Sequence, residues 1–171
     1  MMLEKIELRK KLKNISLVND EYSHLVIDKL QNIIKDKIVC TYLPLENEIN
    51  INMHLKGQSV LSTTCLQDEE IKICIYEEPF EKNSFNVYQP VNLKIINNVD
   101  IFLVPGVGFD KKGTRLGKGR GIYDQLLSNY LDSIFIGVTD NNHILDYIPL
   151  ENHDIQMHSL LTHDEFIDIN L

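Results

Sequence analysis

A short apolar run, DIFLV from Asp100 to Val104, leads straight into a glycine-studded cationic segment, VPGVGFDKKGTRLGKGRGIYD, that ends at Asp124. This junction constrains the fold more than any other stretch. The apolar run reads as a buried strand. The glycine-studded segment then lies where open α/β sheets bind their ligands, outside the carboxyl ends of strands. Five of the seventeen Lys and Arg fall within ten residues here: Lys111, Lys112, Arg115, Lys118 and Arg120. The chain as a whole carries a formal charge of −8. A basic, glycine-rich loop on an acidic protein points to an anion pocket. Gly113, Gly117, Gly119 and Gly121 leave room for backbone N–H groups to approach a ligand. Residues 121–131 read as a helix whose positive end faces the same anion. The spacing is neither that of a Walker A loop nor that of a dinucleotide fingerprint.

The remaining pattern predicts a sheet around this loop. Leu3 to Lys13 reads as an amphipathic helix with Leu8 and Leu12 on one face. Ser16 is the expected N-cap of a second helix, in which Tyr22, Val26, Leu30 and Ile33 recur at helical spacing up to Ile34. Strands are expected over Ile38–Tyr42, Ser59–Thr63, Ile71–Tyr76, Ile134–Val138 and Ser159–Thr162. Asn50 is expected to cap a short helix closed by Gly57. Strands alternating with helices predict an α/β protein: one domain over residues 1–171, with a mostly parallel sheet flanked by helices on both faces, three-layered and Rossmann-like.

Composition excludes some classes of function. No apolar run approaches the roughly 20 residues that cross a bilayer, and the N-terminal MMLEKIELRKKLKN lacks the pattern of a secretory signal. Cys40, Cys65 and Cys74 form no C-x-x-C and read as reduced, buried thiols. A cytoplasmic location is therefore expected, with no membrane partner. The acidic balance argues against nucleic acid. His153, His158 and His163 share no helical or strand face, so no metal site is expected among them.

In order, Pro105, Gly106, Phe109, Asp110, Gly113, Arg115, Leu116, Gly117, Gly119, Gly121, Tyr123 and Asp124 spell PG-x-x-FD-x-x-G-x-RLG-x-G-x-G-x-YD. This resembles the signature of the 5-formyltetrahydrofolate cyclo-ligase (methenyltetrahydrofolate synthetase) family. The segment K-x-x-L-R from Lys5 to Arg9, the stretch YLPLENEI around Glu48, and PLENHDIQMH around Asp154 resemble further stretches of that family in the right order.

The resemblance implies an ATP- and Mg²⁺-dependent ligase of one-carbon metabolism acting on the small molecule 5-formyltetrahydrofolate, with or without a polyglutamate tail; a monomer is expected. It implies ATP contacts from Lys5 and Arg9 and from the stretch Arg115, Leu116, Gly117, Lys118, Gly119, Arg120, Gly121, Ile122 and Tyr123. Folate would lie against Leu43, Glu48 and the stretch from Lys118 to Ile122. A carboxylate such as Glu48 can accept two hydrogen bonds from an amino-pyrimidine edge. Arg115, Lys118 and Arg120 would neutralise the moving phosphoryl group, and Asp124 and Asp154 would hold the metal. Two alternatives stay open, the first motivated by Ile122, where the family commonly has tyrosine. One is a same-fold ATP-dependent enzyme with another acyl or amide substrate; the other is a nucleotide-binding protein without turnover.

Overall fold

The computed structural model describes residues 2–17, 21–55 and 60–169. Helices α1 (Met2–Lys13) and α2 (His24–Ile34) precede strand β1 (Ile38–Thr41). Next come β2 (Val60–Gln67), β3 (Glu70–Ile75), β4 (Phe80–Lys82), β5 (Tyr88–Pro90) and β6 (Ile95–Ile96). Strands β7 (Ile101–Pro105), β8 (Gly108–Asp110) and β9 (Arg115–Leu116) then lead into helix α3 (Ile122–Leu127). The chain closes with β10 (Ile134–Val138), β11 (Ile144–Leu145), β12 (Ser159–Leu161) and β13 (Phe166–Asp168).

Eight strands form one mixed sheet in the order β13-β12-β10-β7-β1-β2-β3-β6. Its interior, from β12 to β2, pairs in parallel. Its margins, β13, β3 and β6, pair antiparallel. The β-branched and aromatic runs of β7 and β10 explain their central places, because both faces of these strands are covered. Ile101 and Leu103 face a core with Val26, Leu30 and Ile34 of α2. The alternate residues, Phe102 and Val104, face a second core with Phe109, Leu126 and Leu127. Each such side chain withdrawn from water contributes about 1.5–3 kcal/mol. A three-stranded sheet, β11-β8-β9, lies beside the large one. Leu12 of α1 packs there on Leu116 and Ile148.

The α/β class holds, with a mixed sheet and fewer helices than expected; among the described residues the connections are largely short strands and loops. Ser16 caps nothing: α2 begins at His24, with Ser23 at its N-cap. The helix predicted to reach Leu131 ends at Leu127. The Ser128 hydroxyl and the Asn129 amide both donate to the Gln125 carbonyl, at 2.8 and 3.2 Å. These local bonds compete with continued helix. The helix expected after Asn50 is a single 3₁₀ turn, Asn52–His54. The Gly57 stop and the Ser59 strand start lie outside the described residues. No helix among those described is long and apolar enough to cross a membrane.

Candidate active site

The first half of the glycine-rich run is a hairpin rather than an open loop. Strands β8 and β9 pair through Gly108–Leu116 and Phe109–Arg115. Asp110, at the end of β8, is 1% exposed. Its Oδ1 accepts from the backbone N–H groups of Lys112 and Thr114, both at 2.9 Å. Its Oδ2 accepts from Ile148 N–H at 3.0 Å. An Asp folding back on the next residues is the turn chemistry expected of this side chain. Gly113 has φ +81°, and a Cβ there would collide with the Met157 carbonyl. Its missing side chain thus serves packing, not access for a ligand.

The hairpin delivers the second half, Gly117 to Gly121, to a cleft of about 760 Å³. The cleft opens at the carboxyl ends of the parallel strands. Tyr42 follows β1, Gly106 follows β7, and both line it. Lys5, Arg9, Leu43, Glu48, Arg115, Lys118, Arg120, Ile122, Tyr123, Asp124 and Asp154 line it too, with Gly117, Gly119 and Gly121. Leu116 does not; its side chain is wholly buried against Leu12 and Ile148.

Most of the cations in this cleft already face a partner. Arg115 Nη2 donates to Asp124 Oδ2 at 2.8 Å, and its guanidinium lies 5.3 Å from the centre of the Tyr123 ring. Arg115 Nε is buried without a hydrogen-bond partner among the described residues. Lys118 Nζ donates to Glu48 Oε1 at 2.7 Å, joining the loop after β9 to the loop after β1. Glu48 Oε2 accepts from Leu45 N–H at 3.0 Å. Arg9 Nε donates to the Gly117 carbonyl at 2.7 Å, so α1 anchors the start of the glycine tract. Burial pushes the Tyr123 phenol well above its ordinary value, although Arg115 and Thr64 pull the other way. Tyr123 therefore stays neutral and presents an apolar body to the cleft.

Lys5 closes the far wall. Its Nζ lies 2.6 Å from Asp154 Oδ2 and 2.8 Å from Glu151 Oε2. Burial opposes its charge, but the hydrogen bonds to Asp154 and Glu151 outweigh that and raise its pKa. The hydrogen bond from Lys5 likewise holds the Glu151 carboxyl below its ordinary value. Donor atoms of Glu151, His153 and Asp154 lie within 4.8 Å of one another. Two carboxylates facing one cleft suit a hard divalent cation, and the ammonium already seated on them shows that this place balances positive charge.

Asp154 stands with Glu151 and His153; Asp124 pairs with Arg115 and also accepts from Ile155 N–H at 3.4 Å, next to Asp154. His153 thus belongs to a candidate ligand set despite its spacing. His158 and His163 do not: His158 Nδ1 accepts from Phe135 N–H, and the His163 ring packs at a tilt against Tyr22. Glu151 and His153 were missed individually, although both lie inside the PLENHDIQMH stretch that pointed to Asp154. Thr64, Phe85 and Val87 also line the cleft. No spacing in the sequence announces them, because β2 and the segment before β5 meet the loop only in the fold.

Known proteins resemble this chain throughout its length. A model of the 5-formyltetrahydrofolate cyclo-ligase family matches residues 4–163. A 5-formyltetrahydrofolate cyclo-ligase from Haemophilus influenzae is 34% identical over 91 residues, covering 50% of this chain and 49% of that protein. The chain thus spans about half the length of this relative. One from Mycoplasma pneumoniae is 30% identical over 140 residues, covering 73% of this chain and 77% of that protein. The NMR structure of Aquifex aeolicus 5,10-methenyltetrahydrofolate synthetase matches with a TM-score of 0.80 at 29% identity. That match covers 98% of this chain and 93% of the other. On the cleft, the fold and the span of these matches, the chain belongs to the 5-formyltetrahydrofolate cyclo-ligase family.

Proposed function

We propose that this chain converts 5-formyltetrahydrofolate to 5,10-methenyltetrahydrofolate, consuming ATP and releasing ADP and phosphate. The observation that carries this reading is the convergence of Lys5, Arg9, Arg115, Lys118 and Arg120 on one cleft, with Glu48 on its wall. A formamide oxygen is a poor leaving group and its carbon a poor electrophile. Transfer of a phosphoryl group to that oxygen improves both. The neighbouring folate nitrogen then attacks the carbon and gives up its proton to solvent, the five-membered ring closes, and phosphate departs with the oxygen.

Catalysis of such a transfer is mainly positioning and charge neutralisation. Arg115 is the best placed cation: Asp124 and Tyr123 fix its plane, and its buried Nε still has a donor to give. Lys118 and Arg120 sit at the exposed mouth and close on the phosphates. The Gly117–Gly121 amides line their path. Glu48 holds the amino-pyrimidine edge, and Leu43 walls the same end. Asp154, with Asp124 and Glu151, is the set to hold Mg²⁺, which when bound neutralises phosphate charge.

The test monitors methenyl-folate absorbance after mixing the protein with 5-formyltetrahydrofolate. Product is expected with Mg-ATP and not with a non-hydrolysable analogue. Product formed without nucleotide, or none under any condition, overturns the reading.

A further inference from the structure

Lys5 is an unusual lysine. Its side chain is only 7% exposed, and the Asp154 carboxylate it meets is 8% exposed. Lysine ammonium groups are strongly hydrated and rarely withdrawn from water unless paired. Here the pairing is double, at 2.6 Å to Asp154 and 2.8 Å to Glu151. Asp154 Oδ2 also accepts from Glu151 N–H at 2.8 Å, which locks the two acids together. A further titratable group facing them is His153, whose Nε2 lies 4.0 Å from Glu151 Oε2 and 3.8 Å from Asp154 Oδ1.

We propose that Lys5 is the resident counter-cation of the Glu151–Asp154 pair, and that a divalent cation can take these oxygens only when Lys5 gives them up. Two positive charges cannot share carboxylate oxygens at ammonium contact distance without strong repulsion. Once displaced, the ammonium stays tethered to α1 on the wall of the same cleft. The polyphosphate, the most densely charged anion in the proposed reaction, is the ligand that receives it. Lys5 therefore makes metal and nucleotide binding mutually dependent: metal alone strands the lysine, and nucleotide gives it a new partner. By linkage, each ligand tightens the other by the same factor. The nucleotide half of this inference rests on the proposed function; the competition between Lys5 and metal does not.

The test is titration of the full chain with Mn²⁺ alone, monitored by electron paramagnetic resonance, for the wild type and for Lys5→Met, which keeps the aliphatic stem. Without nucleotide, Lys5→Met is expected to bind Mn²⁺ about tenfold or more tightly than the wild type, a coupling of ordinary size. A non-hydrolysable ATP analogue is expected to tighten Mn²⁺ on the wild type and to do so less on the variant. Equal nucleotide-free affinities overturn the proposal. Should the variant melt early because its acids are left facing each other, Mn²⁺ must restore its melting temperature where KCl of equal ionic strength does not; failure to restore it also overturns the proposal. If the nucleotide-free difference is found but the ATP analogue has no effect on either protein, the proposed function is at fault and the competition stands.

Discussion

The two halves of the glycine-rich run look alike in sequence and do opposite things. From Val107 to Leu116 the chain is a scaffold. Asp110 is buried under three backbone N–H bonds, Gly113 presses on Met157, and Leu116 is wholly covered. From Gly117 to Gly121 it faces the cleft. Lys118, Gly119, Arg120 and Gly121 are exposed, and a Cβ at Gly121 would meet nothing within 4 Å. Arg115 marks the border, with its backbone in β9 and its guanidinium in the cleft. A dense motif can thus join a rigid foot to an open hand, and glycine can mean tight packing in one and clearance in the other.

Substitutions can break this contrast. Asp110→Ala carries the largest expected effect. It strips partners from three N–H groups, each costing about 1–3 kcal/mol when buried and unpaired. Urea unfolding should show a loss of about 3–5 kcal/mol; a loss below about 1 kcal/mol would refute the scaffold role. Arg115→Ala should lower kcat/KM for methenyl-folate formation by about 100- to 1,000-fold, the cost of a lost donor at a developing charge. Near-normal turnover would remove Arg115 from the chemistry.

The paired glycines sharpen the contrast further. Both Gly113 and Gly121 have positive φ, +81° and +66°. Gly121→Ala meets only backbone strain, about 1–2 kcal/mol. Gly113→Ala adds overpacking against Met157 and should cost about 3 kcal/mol. Equal melting temperatures for the two variants would mean that the halves do not differ in packing.

The smallest effect concerns the acidic wall that Lys5 closes. The hydrogen bond from Lys5 depresses the Glu151 pKa below 4.5, so the pair stabilises the fold above that pH. That stability is lost as pH falls through the folded-state value. Lys5 is raised above 10.5, so its share is full below that pH and fades as pH climbs past its folded-state value. Glu151→Gln should therefore flatten part of the acid limb of the melting curve below pH 4.5, the ordinary value for this group. An unchanged acid limb would mean that Glu151 contributes nothing to it.

Much of the sheet was legible because its central strands are apolar runs rich in β-branched and aromatic residues. Ile134–Val138 matches its expected bounds to the residue, and Ile101–Pro105 overlaps the predicted DIFLV strand but is shifted by one residue. The β8–β9 hairpin was not legible, because its strands are three and two residues long and a buried carboxylate sets their turn. Ser16 and Ser23 are equal as capping residues by type; only the fold puts Ser23 where α2 starts. In the cleft, the cations and glycines announced themselves by density. The joining of Lys5 to Glu151 did not, since it spans 146 residues of sequence and rests on how α1 packs.

Strand β7 is hydrogen-bonded along both edges and covered on both faces, with every residue buried. Its amides should be among the slowest in the molecule to exchange with heavy water, opening only with global unfolding. The hairpin begins three residues beyond its end. Isotope uptake between Gly117 and Gly121 can then be rapid while the strand that carries this tract records nothing, so the cleft can breathe without the molecule loosening.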